Sequence, residues 1–123
     1  MDNKKAIKHR EKLPKLNNFI IKDLREMPEY FGWVNYIVNE QNEIHLFLGG
    51  NDDGVALRCF WNNHYEKKTL EIWAKLCMTE GIILDIGAHS GIYSLVANNS
   101  IQNGAVLSFE PHYLNFSRLN LNL

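Results

Sequence analysis

The chain has 123 residues, of which 46% are hydrophobic and 22% charged, and a formal net charge of −1. This is enough for one domain with a core, though short for many enzymes, and the composition is that of an ordinary globular protein. A near-neutral charge removes any global pull toward nucleic acid or a membrane surface.

The opening is locally basic, with Lys4, Lys5, Lys8, Arg10, Lys12 and Lys15 set against only Asp2 and Glu11. A solvated helical arm is the commoner use of such a run, and a phosphate-binding patch the rarer one. Through residue 27, Leu13, Leu16, Phe19, Ile20 and Leu24 fall near helical spacing, interrupted by Pro14. One or two short helices are expected, closed by Pro28. The apolar triplet "FII" at 19–21 is far too short to span a bilayer, and no secretion signal is visible. Cys59 and Cys77 are too few for a disulfide framework and too far apart for a CxxC pair, so reduced thiols and a cytoplasmic location are expected.

From Trp33 to Trp61, "WVNYIV", "EIHLFL" and "GVALRCFW" are rich in β-branched and aromatic residues and are separated by "NEQN" and "GGNDDG". Strand composition between turn composition predicts a small antiparallel meander of three strands. "HYEKKTLEIWAKLCMTEG" then predicts a helix. Leu70, Trp73, Ala74 and Cys77 share one stripe, and Gly81 stands where a C-terminal glycine cap belongs. "IILDIG" reads as a strand buried on both faces. "SGIYSLVANNS" reads as a helix capped by Ser90, "AVLSFE" as a second buried strand and "LNFSRLNLNL" as a last helix.

Helix, strand, helix, strand, helix from Tyr65 onward is an α/β order, and a crossover helix makes the two strands parallel. Two such strands cannot bury helices on both faces. Either a longer chain or a second chain is therefore expected to complete the sheet. Left open, it should expose a strand edge together with Leu95, Phe116 and Leu119, and so favour self-association.

The chemistry centres on "ILDIGAHSGIYSL", residues 83–95, where a carboxylate and two glycines lie between a strand and a helix. Gly87 and Gly91 permit a sharp turn and close approach of a ligand, and the following helix aims its free N–H groups at the same place. A dinucleotide site requires GxGxxG, but the position two after Gly87 is His89, and Asp85 at the strand tip would repel a pyrophosphate. S-adenosylmethionine has no phosphate and carries a cationic sulfonium and an ammonium, so Asp85 favours it over NAD. Glu110 ends the next strand 25 residues after Asp85, placed to accept hydrogen bonds from ribose hydroxyls of either ligand. His9, His45, His64 and His112 show no metal-ligand spacing, and no metal is expected.

"ILDIGAHSGIYSL" followed by "VLSFEPHYLNFSRLNLNL" resembles the first part of the catalytic domain of FkbM-type methyltransferases. Asp85, Gly87, Ala88 and Gly91 match that family's Asp-x-Gly-Ala-Asn-x-Gly motif. Phe109, Glu110, Pro111, Leu119 and Asn122 match its Phe-Glu-Pro strand end and Leu-x-x-Asn helix. His89 departs, standing where the family usually has asparagine. Tyr65 and Glu66 resemble the segment that, in this family, can close over the methionine end of the cofactor.

The resemblance covers residues 64–123. It implies an α/β fold with a Rossmann-like parallel sheet of the class I methyltransferase type, incomplete here, over residues 63–123. An N-terminal extension, helical and then a β meander, precedes it over residues 1–62. It also implies S-adenosyl-L-methionine as cofactor, held by Asp85, Gly87, Ala88, His89, Ser90, Gly91, Glu110 and Pro111 with Tyr65 and Glu66, and a sugar or natural-product hydroxyl as methyl acceptor. No catalytic base can be named among these residues, and no nucleic-acid or membrane partner is implied. The competing expectation is a truncated, non-catalytic module that binds a nucleoside or a partner chain through the open sheet edge.

Overall fold

The structure, a computed structural model, describes residues 3–123. Contacts divide the chain into two compact units, one of residues 1–36 and 45–65, the other of residues 37–44 and 66–123. It is a mixed α/β chain with a two-stranded antiparallel sheet and a two-stranded parallel one.

Two short helices, α1 (Lys4–Arg10) and α2 (Ile21–Glu26), open the first unit, as Pro14 and Pro28 lead one to expect. The hairpin of β1 (Phe31–Asn39) and β2 (Asn42–Gly49) follows, and its two-residue connection requires antiparallel pairing. The side chains alternate as a pleated strand demands: Val34, Tyr36 and Val38 are buried on β1, and Ile44, Leu46 and Leu48 on β2. Gln41 donates its backbone N–H to Asn39 Oδ1 at 2.9 Å, which fixes the turn.

The third expected strand is not a strand. "GVALRCFW" forms a helix, α3 (Gly54–Leu57), that runs on into a wider π-helical turn over Arg58–Asn62. The carboxylate of Asp53 accepts the backbone N–H groups of Val55 (2.8 Å) and Ala56 (3.4 Å), and this cap commits the segment to a helix. Val55, Ala56, Leu57, Cys59, Phe60 and Trp61 are all buried, so burial on every side replaces the alternation a strand would show. Asn62 pairs both ends of its side-chain amide with the backbone of Phe19 at 3.0 Å, which ties the segment before α2 to this turn. Asn3 clamps Phe31 in the same way, at 2.8 and 3.0 Å.

In the second unit, α4 (Lys67–Leu76), β3 (Glu80–Ile86), α5 (Ile92–Ser100), β4 (Asn103–Phe109) and α6 (Tyr113–Asn122) follow in the expected order, with β3 and β4 parallel. Leu70, Ala74 and Cys77 are buried along the predicted stripe. Cys77, Ile83 and Ala97 form a small core with Trp73, Ile101 and Val106 around it.

Four local expectations are corrected. First, α4 ends at Leu76, and Gly81 lies inside β3 opposite Gly104 rather than capping the helix. A Cβ on Gly104 would strike the Gly81 carbonyl, so this pair lets the strands approach at their start. Second, α5 is capped by Gly91 at φ 96°, while Ser90 is buried just before it. Third, β3 is buried on one face only: Ile82, Leu84 and Ile86 are 69%, 53% and 79% exposed, because helices cover a single side of this sheet. Fourth, Phe116 is exposed as anticipated, but Leu119 is buried, with its side chain filling the space over Gly91.

Candidate functional site

In the second unit, parallel pairing puts the carboxyl ends of β3 and β4 side by side. Asp85 lies opposite Ser108, and Ile86 opposite Phe109. The chain leaving β3 turns at once. The backbone N–H groups of Gly87 (2.8 Å) and Ala88 (3.0 Å) both donate to the Phe109 carbonyl, which anchors the turn to the end of the neighbouring strand. Gly87 has φ 83°, His89 54° and Gly91 96°, three left-handed residues at alternate positions, and this alternation folds the backbone back toward α5. A Cβ on Gly87 would meet nothing within 4 Å, so backbone is open to approach there. Gly91 is needed for a different reason. A Cβ at that position would lie 2.7 Å from Leu119 Cδ1, so α6 packs directly on the turn.

Asp85 is half-buried and receives the hydroxyl of Ser94, in the first turn of α5, at 2.5 Å. Ser94 Oγ also lies 2.7 Å from Ser108 Oγ, so β3, α5 and β4 share one polar chain. Burial, and secondarily the nearby Asp85 carboxylate, push the Cys77 thiol above its ordinary range, so it stays protonated and unreactive.

Glu110 binds the turn from the other strand. Its Oε2 accepts the His89 N–H and its Oε1 the His112 N–H, each at 2.8 Å. The His112 bond is the largest influence holding the Glu110 carboxyl below its ordinary range. Burial opposes it as the next largest influence, and the His89 N–H and the Asn115 side chain add smaller effects in the lowering direction. Each carboxylate oxygen has two acceptor sites, so these bonds leave room for hydroxyl donors from a ligand.

The structure brings Asp85, Gly87, Ala88, His89, Ser90, Gly91 and Glu110 together at one end of the parallel sheet, with Pro111 exposed immediately beyond. Glu66 enters through α5: it has φ 42°, and its carboxylate accepts the Tyr93 hydroxyl at 2.6 Å. The Tyr93 carbonyl in turn receives the Trp73 indole N–H at 2.9 Å. Tyr65 belongs to the first unit, where its N–H and carbonyl both bond the Tyr36 hydroxyl at 3.0 Å.

Sequence reasoning missed Ser94 and Ser108, and matched Asn122 to a motif without giving it a role at the turn. A serine in the apolar stretch "IYSLVA" and another between Leu107 and Phe109 were the available signals. Asn122 is buried and donates to the Ser90 carbonyl at 2.7 Å, so the asparagine of the Leu-x-x-Asn pattern holds the turn from α6. Among the described residues no helix is long and apolar enough to cross a membrane. Comparison of the chain with protein-family models, curated proteins and solved structures finds no match.

Proposed function

We propose that the second unit is the cofactor-binding part of an S-adenosylmethionine-dependent methyltransferase of FkbM type with a Rossmann-like sheet, acting on a sugar or natural-product hydroxyl. The observation that carries this reading is the open backbone at Gly87, flanked by the carboxylates of Asp85 and Glu110 at adjacent parallel strand ends. Two carboxylates around an exposed left-handed turn repel a pyrophosphate and suit a ligand with a sulfonium and an ammonium. Glu110, oriented by two backbone N–H groups, keeps acceptor capacity for ribose hydroxyls. The methyl donor carries its own reactive sulfonium, so the protein's task is to position the ligand and exclude water.

Saturation-transfer NMR on the chain tests the reading. Adenosine protons of S-adenosylhomocysteine should be saturated and those of NAD should not. Equal signals from both ligands, or none from S-adenosylhomocysteine, would sink it.

A second reading, a non-catalytic module that binds a partner chain, draws on the exposed apolar face of β3. It predicts association of the chain with no adenosine signal at all.

A further inference from the structure

An open groove of about 510 Å³ lies within the first unit, in the size range of small-molecule sites. Its floor is aromatic. Tyr30 stacks on Phe60 with centroids 4.3 Å apart and ring planes 20° apart, and Trp61 packs edge-on to Phe60 at 4.8 Å. The guanidinium carbon of Arg10 sits 4.5 Å from the centre of the Phe60 ring. The cation is therefore held on an aromatic surface, an arrangement that leaves the edge of the guanidinium for a ligand. Its N–H donors meet no acceptor among the described residues.

Lys15 adds a second cation to the lining and Glu11 a single carboxylate, so the groove carries one net positive charge. That balance suits a monoanion better than a dianion. The Trp61 side chain is 1% exposed, and its indole N–H is buried with no hydrogen-bond partner among the described residues, so it reports on changes at the groove without itself meeting the ligand.

We propose that this groove binds a small aromatic monocarboxylate, with its carboxylate on Arg10 and Lys15 and its ring against the exposed part of Tyr30, above the buried Phe60 and Trp61. A planar carboxylate matches the guanidinium fork, and a planar ring matches the aromatic floor. The site lies wholly in the first unit and is independent of the cofactor reading of the second.

The test is titration of the ¹⁵N-labelled chain with phenylacetate, its uncharged analogue phenylacetamide, and phenyl phosphate. Phenylacetate should shift the Tyr30 and Phe60 amides and the Trp61 indole N–H along a saturable curve at millimolar concentration. Phenylacetamide should bind at least about tenfold more weakly, since it lacks the charge-assisted bonds. Arg10→Met should weaken phenylacetate by a similar factor. Because Arg10 also packs on Phe60, the exposed Lys15→Met provides a second variant that leaves the aromatic packing intact and should weaken binding severalfold. Equal affinity for acid and amide, tighter binding of phenyl phosphate, indifference to Lys15→Met, or no saturable shift would each overturn the assignment.

Discussion

Replacing Ser94 by alanine tests how the candidate site is held together. Ser94 is fully buried, donates to Asp85 Oδ2 at 2.5 Å and lies 2.7 Å from Ser108 Oγ. A hydrogen bond to a charged acceptor is worth about 1.5–3 kcal/mol and a neutral one about 0.5–1.5 kcal/mol. Asp85 and Ser108 are only half-buried, so water can replace part of what each loses, and the lower ends of those ranges apply. Alanine also regains about 0.5 kcal/mol of helix propensity in α5. The net expectation is a loss of about 1.5 kcal/mol, or roughly 6–12 °C in Tm for a unit of this size. Urea unfolding followed on the ¹H–¹⁵N signals of β3, α5 and β4 reads this unit alone. Ser108→Ala, which loses only the neutral contact, should cost about 0.5–1 kcal/mol. A double-mutant cycle with Asp85→Asn should give a coupling of at least about 1 kcal/mol between Asp85 and Ser94. A Ser94→Ala loss below about 0.5 kcal/mol, the scale of ordinary surface changes, or a coupling near zero, would refute the view that the three residues act as one device.

Gly104→Ala should cost about 1–3 kcal/mol or more and selectively lower hydrogen-exchange protection at the start of β3 and β4, because the added methyl collides with the Gly81 backbone. A Cβ at Gly87 meets no protein atom within 4 Å, so Gly87→Val should cost mainly the strain of a left-handed side chain, about 1–2 kcal/mol, while abolishing the adenosine saturation signal. Glu110, with a folded-state pKa below its ordinary 4.5, stabilises the turn above that pH and loses the contribution as pH falls through the folded value. Amide protection at His89 and His112 should therefore drop on acidification below about pH 4.5, and Glu110→Gln should flatten the profile.

The parts of this fold legible in the sequence are those whose cause lies within a few residues. The stripe of Leu70, Ala74 and Cys77 marks α4 directly, and the apolar runs around Ile83 and Val106 mark the parallel strands. Glycines at 87 and 91 announce the turn between them. What stayed hidden depends on distant partners or on competing local signals. Gly81 reads as a helix cap until Gly104 is seen opposite it. "GVALRCFW" has strand composition, and the single carboxylate of Asp53 outweighs it by satisfying two free N–H groups of a helix. The burial of Leu119 follows from the absence of a side chain on Gly91, which the order of residues along the chain does not reveal. At the candidate site, Asp85 and Glu110 could be named from their strand-end positions. The donors that orient Glu110 could not, because backbone N–H groups leave no mark in a sequence.

His89 and Glu66 bear on the proposed cofactor site through their backbone conformation. Both are non-glycine residues in the left-handed region, at φ 54° and 42°. Such a conformation costs on the order of 1–3 kcal/mol and persists only where surrounding contacts impose it. At His89 those contacts are the Glu110 carboxylate on its N–H and, on the next residue, the Asn122 amide on the Ser90 carbonyl. At Glu66 the Tyr93 hydroxyl holds the side chain, and the Glu66 carbonyl accepts the Leu70 N–H as α4 begins. The two strained residues lie at the starts of different helices, His89 bonded to Glu110 beyond the end of β4 and Glu66 to Tyr93 in the first turn of α5. A turn meant only to connect β3 with α5 could use an unstrained path. On the proposed reading, open backbone at Gly87 beside a turn already held by Glu110 and Asn122 would spare a ligand the entropic cost of ordering the loop, leaving its binding energy available for affinity.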